Sequence, residues 1–235
     1  MNICYFFIPL CIFTYCSSMD KVLSDAMLTC DVQTMESYLS RQPSLLNQRN
    51  GREGRTMLFD AASWGLEKTT RFLLEKGANP NIPDINGNTP LISVIAGSSK
   101  PSVIPYILMK GGADVNAHNT KGFTALHCAC TNKYGFELVK SLLEHGANPN
   151  AVNQSRVTPL LLACYSNLTP FVHILLKYNA DKSIAAIDGD TPLKVARRQH
   201  FSGVEWLLNG QIGMPPEESK KDTYILFLAM RMSKR

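Results

Sequence analysis

The sequence predicts an all-α solenoid of short helix pairs, and two markers running in phase predict it. A threonine opens a small, apolar stretch at Thr56, Thr89, Thr124, Thr158 and Thr191, at spacings of 33, 35, 34 and 33 residues. A stop marker keeps step with it at Gly77-Ala78-Asn79, Gly112-Ala113-Asp114, Gly146-Ala147-Asn148 and Asn179-Ala180-Asp181. Self-similarity at a fixed period of this size is the signature of stacked repeats. The chain has 235 residues, 45% hydrophobic and 18% charged, the composition of a folded rather than a disordered chain.

Each marker has a physical role. The threonine hydroxyl caps the start of a helix, and Pro90, Pro159 and Pro192 suit its first turn. Leucine and alanine after the cap let neighbouring helices approach closely. A second apolar stretch follows, such as Thr70 to Lys76, and glycine stops it in a left-handed cap. Asp84-Ile85-Asn86-Gly87 and Asn119-Thr120-Lys121-Gly122 are turn sequences. One unit therefore reads as helix, turn, helix and β-turn finger, and there are about five clear copies.

The rest of the chain is read against that period. Residues 1–18 form an apolar extension, residues 19–51 a degenerate capping repeat, residues 52–214 the repeats, and residues 215–235 a linker with a basic amphipathic helix. Ile3 to Tyr15 is too short to span a bilayer and has no basic residue before it. It is read as an extension outside the fold, with Met19 as an alternative start; a signal or anchor and a lipidated or packing segment stay open. In the capping repeat, Lys21 to Leu28 and Val32 to Leu39 are amphipathic but carry neither marker, as expected of a polar end unit. Residues 97–101 lengthen one loop, and Pro105 makes the following helix start near Ile104. Ser155-Arg156-Val157 lacks the turn glycine, so that finger is expected to differ in shape. Lys194, Arg197, Arg198 and Gln199 give the last unit the polar helix of a C-terminal cap. Tyr224 to Met230 either packs on the last repeat or offers an exposed helix.

Thr124-Ala125-Leu126-His127-Cys128-Ala129 and its four counterparts resemble the ankyrin repeat, whose signature is T-P-L-H-x-A at a period near 33. The resemblance covers about Asp20 to Met214. It implies an ankyrin-repeat solenoid, a structural role for His127, and a protein-binding concave surface built from finger tips and the ends of the first helices.

Little in the sequence points to chemistry. His127, Cys128 and Cys130 mimic a metal cluster, but a structural zinc site needs four convergent ligands, and cysteines two apart on a helix diverge. The seven cysteines follow no disulfide spacing; three lie in the first 16 residues, and Cys30, Cys128, Cys130 and Cys164 read as small buried hydrophobes in a reducing, cytoplasmic or nuclear compartment. Cys130 and Cys164 share one repeat position and should stack. Lys110-Gly111-Gly112 is a helix stop, not a phosphate loop. No nucleophile, general base or Gly-rich cradle recurs, so the reading is not an enzyme, with no cofactor, no metal and no small-molecule substrate.

The expected activity is that of a protein-binding scaffold or adaptor. Positions just before each threonine, and seven or eight after it, are not needed by the fold. There the sequence places Arg55, Trp64, Phe123, Val157 and Tyr165, and the fingers add Arg52 and Lys121, a composition like that of interface anchors. The net charge of +5 has no basic block within the repeats, so nucleic acid is not the expected partner. A membrane is expected only through the N-terminal extension. The alternative is a regulatory or targeting subunit acting through the basic C-terminal helix on nucleic acid or a membrane surface.

Overall fold

The computed structural model describes residues 21–97, 102–132 and 135–211. The N-terminal extension and the C-terminal helix read from the sequence lie outside the described residues. The chain divides into two compact units. Among the described residues, 21–94 and 102–114 form the first, and 95–97, 115–132 and 135–211 form the second. The described residues form α-helices, one short 3₁₀ turn and no strand; only isolated bridges occur, at Asn50–Arg55 and His118–Thr124.

The first unit opens with α1 (Lys21–Thr29) and α2 (Val32–Arg41), close to the amphipathic segments read from the sequence. Leu23, Met27 and Met35 are their buried stripe. A buried hydroxyl ties this degenerate repeat to the next: Thr69 Oγ1 donates to the Met27 carbonyl at 2.7 Å. The repeat that follows is α3 (Met57–Ser63) with α4 (Glu67–Glu75), and then come α5 (Pro90–Gly97) and α6 (Ile104–Lys110). Pro105 sits in the first turn of α6, where its missing N–H has no helical partner to lose, so the helix starts where the sequence placed it.

The second unit holds three helix pairs: α7 (Ala125–Ala129) with α8 (Phe136–Glu144), α9 (Pro159–Tyr165) with α10 (Thr169–Lys177), and α11 (Pro192–Arg198) with α12 (Ser202–Leu208). Leu126, Ala129, Val139, Leu142, Leu160, Phe171, Leu175, Val195 and Val204 are buried and form its core. Phe136 meets Phe171 edge to face at 5.9 Å, joining α8 to α10.

All five threonines do the same work. Each hydroxyl accepts the backbone N–H three residues on, at 3.2 Å for Thr56, 3.4 Å for Thr89, 3.4 Å for Thr124, 3.2 Å for Thr158 and 3.3 Å for Thr191. Such a cap contributes about 1 kcal/mol. The second helices stop at Gly77, Gly112, Gly146 and Asn179, all at positive φ.

A side-chain ladder the sequence reading missed joins the repeats. Within the first unit, Asn81 Nδ2 donates to the Gly112 carbonyl at 3.1 Å, and Asn81 Oδ1 accepts the Asp114 N–H at 2.7 Å. In the second unit Asn116 makes the same pair with Gly146 and Asn148, and Asn150 with Asn179 and Asp181. Each asparagine satisfies backbone groups that a helix end leaves open. At the next position stands Ser183, exposed, whose hydroxyl donates to Asp181 Oδ1 of its own loop at 2.6 Å and does not extend the ladder.

The fingers repeat one hydrogen-bond pattern. In Asn119–Phe123 and Asn153–Val157 the leading asparagine Oδ1 accepts two N–H groups of its own finger, and its backbone N–H closes the turn onto the last carbonyl. The expectation of a differently shaped finger at Ser155-Arg156-Val157 is therefore corrected. Arg156 takes the left-handed conformation itself, at φ 57, and the Asn153 side chain holds the turn closed.

Candidate functional site

Within each unit, finger stacking joins the fingers that carry candidate residues. In the second unit the Gln154 N–H donates to the Lys121 carbonyl at 3.0 Å, and the Ile187 N–H donates to the Ser155 carbonyl at 3.0 Å. Three successive fingers are thus tied edge to edge, with Lys121, Phe123 and Val157 among their residues. In the first unit the Ile85 N–H donates to the Glu53 carbonyl at 3.0 Å, joining the finger that carries Arg52 and Arg55 to its neighbour.

The seven residues singled out from the sequence fall into different physical classes. Arg52 and Lys121 are exposed and have no carboxylate partner among the described residues. Arg55 is half-buried, paired with Glu53 at 2.7 Å and stacked 4.9 Å from the Phe59 ring centroid. It is largely committed to its own repeat. Trp64 is half-buried at the C-terminal end of α3. Phe123 is half-buried and packs edge to face on His127 at 5.7 Å. Val157 is half-buried and its carbonyl accepts His127 Nε2–H at 3.0 Å. Phe123 and Val157 therefore serve the fold as well as presenting surface. Arg52, Arg55 and Trp64 lie in the first unit, and Lys121, Phe123, Val157 and Tyr165 in the second.

Tyr165 is the most exposed of the candidate aromatics, at 37% on the last turn of α9. Its hydroxyl donates to Asp190 Oδ2 at 2.9 Å. Asp190 is in turn held by a two-pronged guanidinium contact, Arg198 Nη1 to Oδ1 at 2.8 Å and Nη2 to Oδ2 at 2.6 Å. The Arg198 bonds, then the Tyr165 bond, hold the Asp190 carboxyl below its usual range, so it stays ionised. Burial first, and then the Asp190 carboxylate, push the Tyr165 hydroxyl up to about 12, so it remains a donor. A tethered aromatic loses little further freedom on binding. Tyr165 and Arg198 each lie seven residues after their threonines, and Asp190 one before its own.

His127 has a different role. Thr124 Oγ1 lies 2.8 Å and the Thr124 N–H 3.2 Å from its Nδ1, and its Nε2 bonds to Val157, which fixes the Nε2–H tautomer. It links the start of α7 to the next finger. Burial lowers its pKa, against the pull of its backbone acceptors. A depressed folded-state pKa favours the neutral ring, so its contribution is complete above the unfolded value of about 6.5 and is lost as pH falls below it. His173, half-buried near Lys177, is shifted the same way. In melts between pH 7.5 and 5, His127→Leu, which mimics Leu161 one repeat on, should remove part but not all of the acid-side loss.

The thiols of Cys128, Cys130 and Cys164 are poor nucleophiles and ligands. Burial raises Cys128 to about 11 and Cys164 to about 12, and raises Cys130 further, with neighbouring Cys128 and Cys164 adding to its shift. Among the described residues no group of three or more His, Cys, Asp or Glu side chains could hold a metal ion. No helix among them is long and apolar enough to cross a membrane. A cleft of about 450 Å³ in the first unit is lined by Leu39, Pro43, Leu46 and the Lys76–Glu36 ion pair, and contains none of the seven candidate residues.

Capped helix pairs, stacked fingers and an asparagine ladder define a helical repeat protein. A family profile described as "Ankyrin repeats (3 copies)" matches residues 79–153 and 133–215, and one described as "Ankyrin repeat" matches residues 53–85. The chain belongs to the ankyrin-repeat family, and its fold class is the all-α ankyrin solenoid. It is 34% identical to human BCL-6 corepressor-like protein 1 over 111 residues, 47% of this chain and 6% of that one. It is 36% identical to human Rabankyrin-5 over 132 residues, 54% of this chain and 11% of that protein. The transient receptor potential channel pyrexia of Drosophila melanogaster matches at 36% over 141 residues, 59% of this chain and 14% of the channel. The chain thus spans a small part of these relatives. Ankyrin repeats are in general protein–protein interaction modules, and the family is typically non-enzymatic.

Proposed function

We propose that this chain is a non-enzymatic scaffold or adaptor that binds a protein partner through its fingers and the ends of its first helices. The observation that carries the reading is Tyr165. A large aromatic stands on the surface at a position the fold does not need filled, and Asp190 and Arg198 hold it in one orientation. Anchors of this kind, enriched in Trp, Tyr and Arg, dominate interface energetics. Lys121 on the neighbouring finger stack and Arg52 in the first unit add exposed cations without carboxylate partners. No cofactor or small-molecule substrate enters the reading.

The test is an affinity capture with the full chain, read by mass spectrometry, followed by titration of the captured partner against variants. Tyr165→Ala should weaken binding by roughly 30-fold, about 2 kcal/mol. Trp64→Ala and Phe123→Ala should also weaken it, but Phe123→Ala should lower the melting temperature as well, because its ring packs on His127. Wild-type affinity in all three variants contradicts the proposed surface.

A further inference from the structure

The positive charges of the second unit are scattered in sequence, and the finger stack collects them. Lys121 lies on one finger and Arg156 on the next, and the Gln154 N–H of the second donates to the Lys121 carbonyl. Arg156 Nε reaches the Ala185 carbonyl at 3.4 Å, toward the third finger. Lys194 Nζ donates to the Gly189 carbonyl of that finger at 2.9 Å, and Arg198 clasps its Asp190. Four cations from three separate stretches of chain, two fingers and the first helix of the last repeat, therefore lie along one chain of contacts, and all four are exposed. Lys121, Arg156 and Lys194 have no carboxylate partner among the described residues. The acids beside them are Asp188 and Asp190, and Asp190 is already neutralised by Arg198. Tyr165, 37% exposed, is bonded to Asp190 of the third finger, and Ile187, 69% exposed, stands at that finger's tip with its N–H on the Ser155 carbonyl.

Resting on the protein-binding reading above, we propose that this face of the second unit takes an extended acidic segment of the partner that also carries apolar side chains. The charge excess calls for carboxylates. The exposed Ile187 and the tethered Tyr165 call for apolar groups between them. A nucleic acid would want a denser basic stripe without carboxylates set into it. Packed helices lie about 10 Å apart, so two repeat steps give a track of about 20 Å. At about 3.3 Å per residue, roughly six extended residues cover it.

The probe is a phage library of random decapeptides panned against the full chain. Enriched peptides should carry an excess of Asp and Glu together with Leu, Ile or aromatic residues. One such peptide should bind about tenfold more weakly to the Lys121→Glu, Arg156→Glu, Lys194→Glu triple variant, and its Asn/Gln copy should lose a similar factor on the wild-type chain. The three side chains are exposed, so a melting curve of the variant near that of wild type validates the comparison, and the Asn/Gln copy tests the proposal without any variant. An absence of enrichment, an enrichment without acids, or acidic peptides that bind the triple variant as tightly as wild type overturns the acidic assignment. If such peptides still weaken on Tyr165→Ala, the binding surface survives and only its charge preference falls. If they ignore Tyr165→Ala as well, the surface reading falls with it. A single-stranded DNA oligonucleotide that binds more tightly than the best peptide would replace the peptide with a nucleic acid.

Discussion

Leu126→Ala should cost about 2–5 kcal/mol of unfolding free energy. Leu126 is the second residue of α7 and is fully buried in the core of the second unit. Its side chain is fully buried in a core whose small buried residues, Ala129 and Ala163 among them, leave little that can collapse into a gap. Urea denaturation followed by circular dichroism measures the loss, and helix content lost first in the second unit would localise it. A change below about 1 kcal/mol would mean that this stretch is not packed as described. The variant also serves as the structural control for binding experiments, since Leu126 presents nothing to solvent.

Gly122→Ala is the second large effect. The residue sits at φ 79, in the left-handed region, and an added Cβ would lie 2.8 Å from the Asn153 Cα and 3.1 Å from the Gln154 nitrogen. The conformational term is about 1–2 kcal/mol for an L-residue. The clash adds about 1–3 kcal/mol, because the obstacle is backbone and cannot rotate away. Since Asn153 and Gln154 belong to the next finger, the variant should also separate the two fingers that present Lys121 and Val157. It should therefore lose stability and partner affinity together, whereas Tyr165→Ala should lose affinity alone. Wild-type melting of Gly122→Ala would contradict the close approach of these fingers. Arg156 shows the same turn tolerating an L-residue at φ 57, and the difference is the neighbouring backbone at Gly122.

Most of the fold was legible because its signals are local. A threonine three residues before the N–H it caps, a glycine where a helix must stop and a proline in a first turn each act within one turn of chain. Those signals gave the repeat register, the starts of the helices and the late start at Ile104. The asparagine ladder was not read, although Asn81, Asn116 and Asn150 stand at matching places, because its partners lie about 30 residues away in the next repeat. The finger at Arg156 was misjudged for a related reason. The missing glycine was visible, but the Asn153 side chain that closes the turn was not weighed.

The surface was legible by position and less so by role. Counting from the threonine placed Tyr165 where it is exposed, yet nothing local showed that Asp190 and Arg198 tether it. The same counting placed Arg55, Phe123 and Val157 on the surface, where contacts with Glu53, Phe59 and His127 partly bind them into the fold. Composition alone cannot separate a side chain that waits for a partner from one that already has one.

The central claim is that binding resides in the fingers and first-helix ends and not in the basic C-terminal segment. It is tested most directly by titrating one captured partner against three proteins by calorimetry: wild type, Tyr165→Ala, and a chain lacking Glu217 to Arg235. Roughly 30-fold weaker binding by Tyr165→Ala, with unchanged melting and wild-type affinity in the shortened chain, is the predicted result. Wild-type affinity in Tyr165→Ala together with loss of binding in the shortened chain would contradict the account and move the function to the tail.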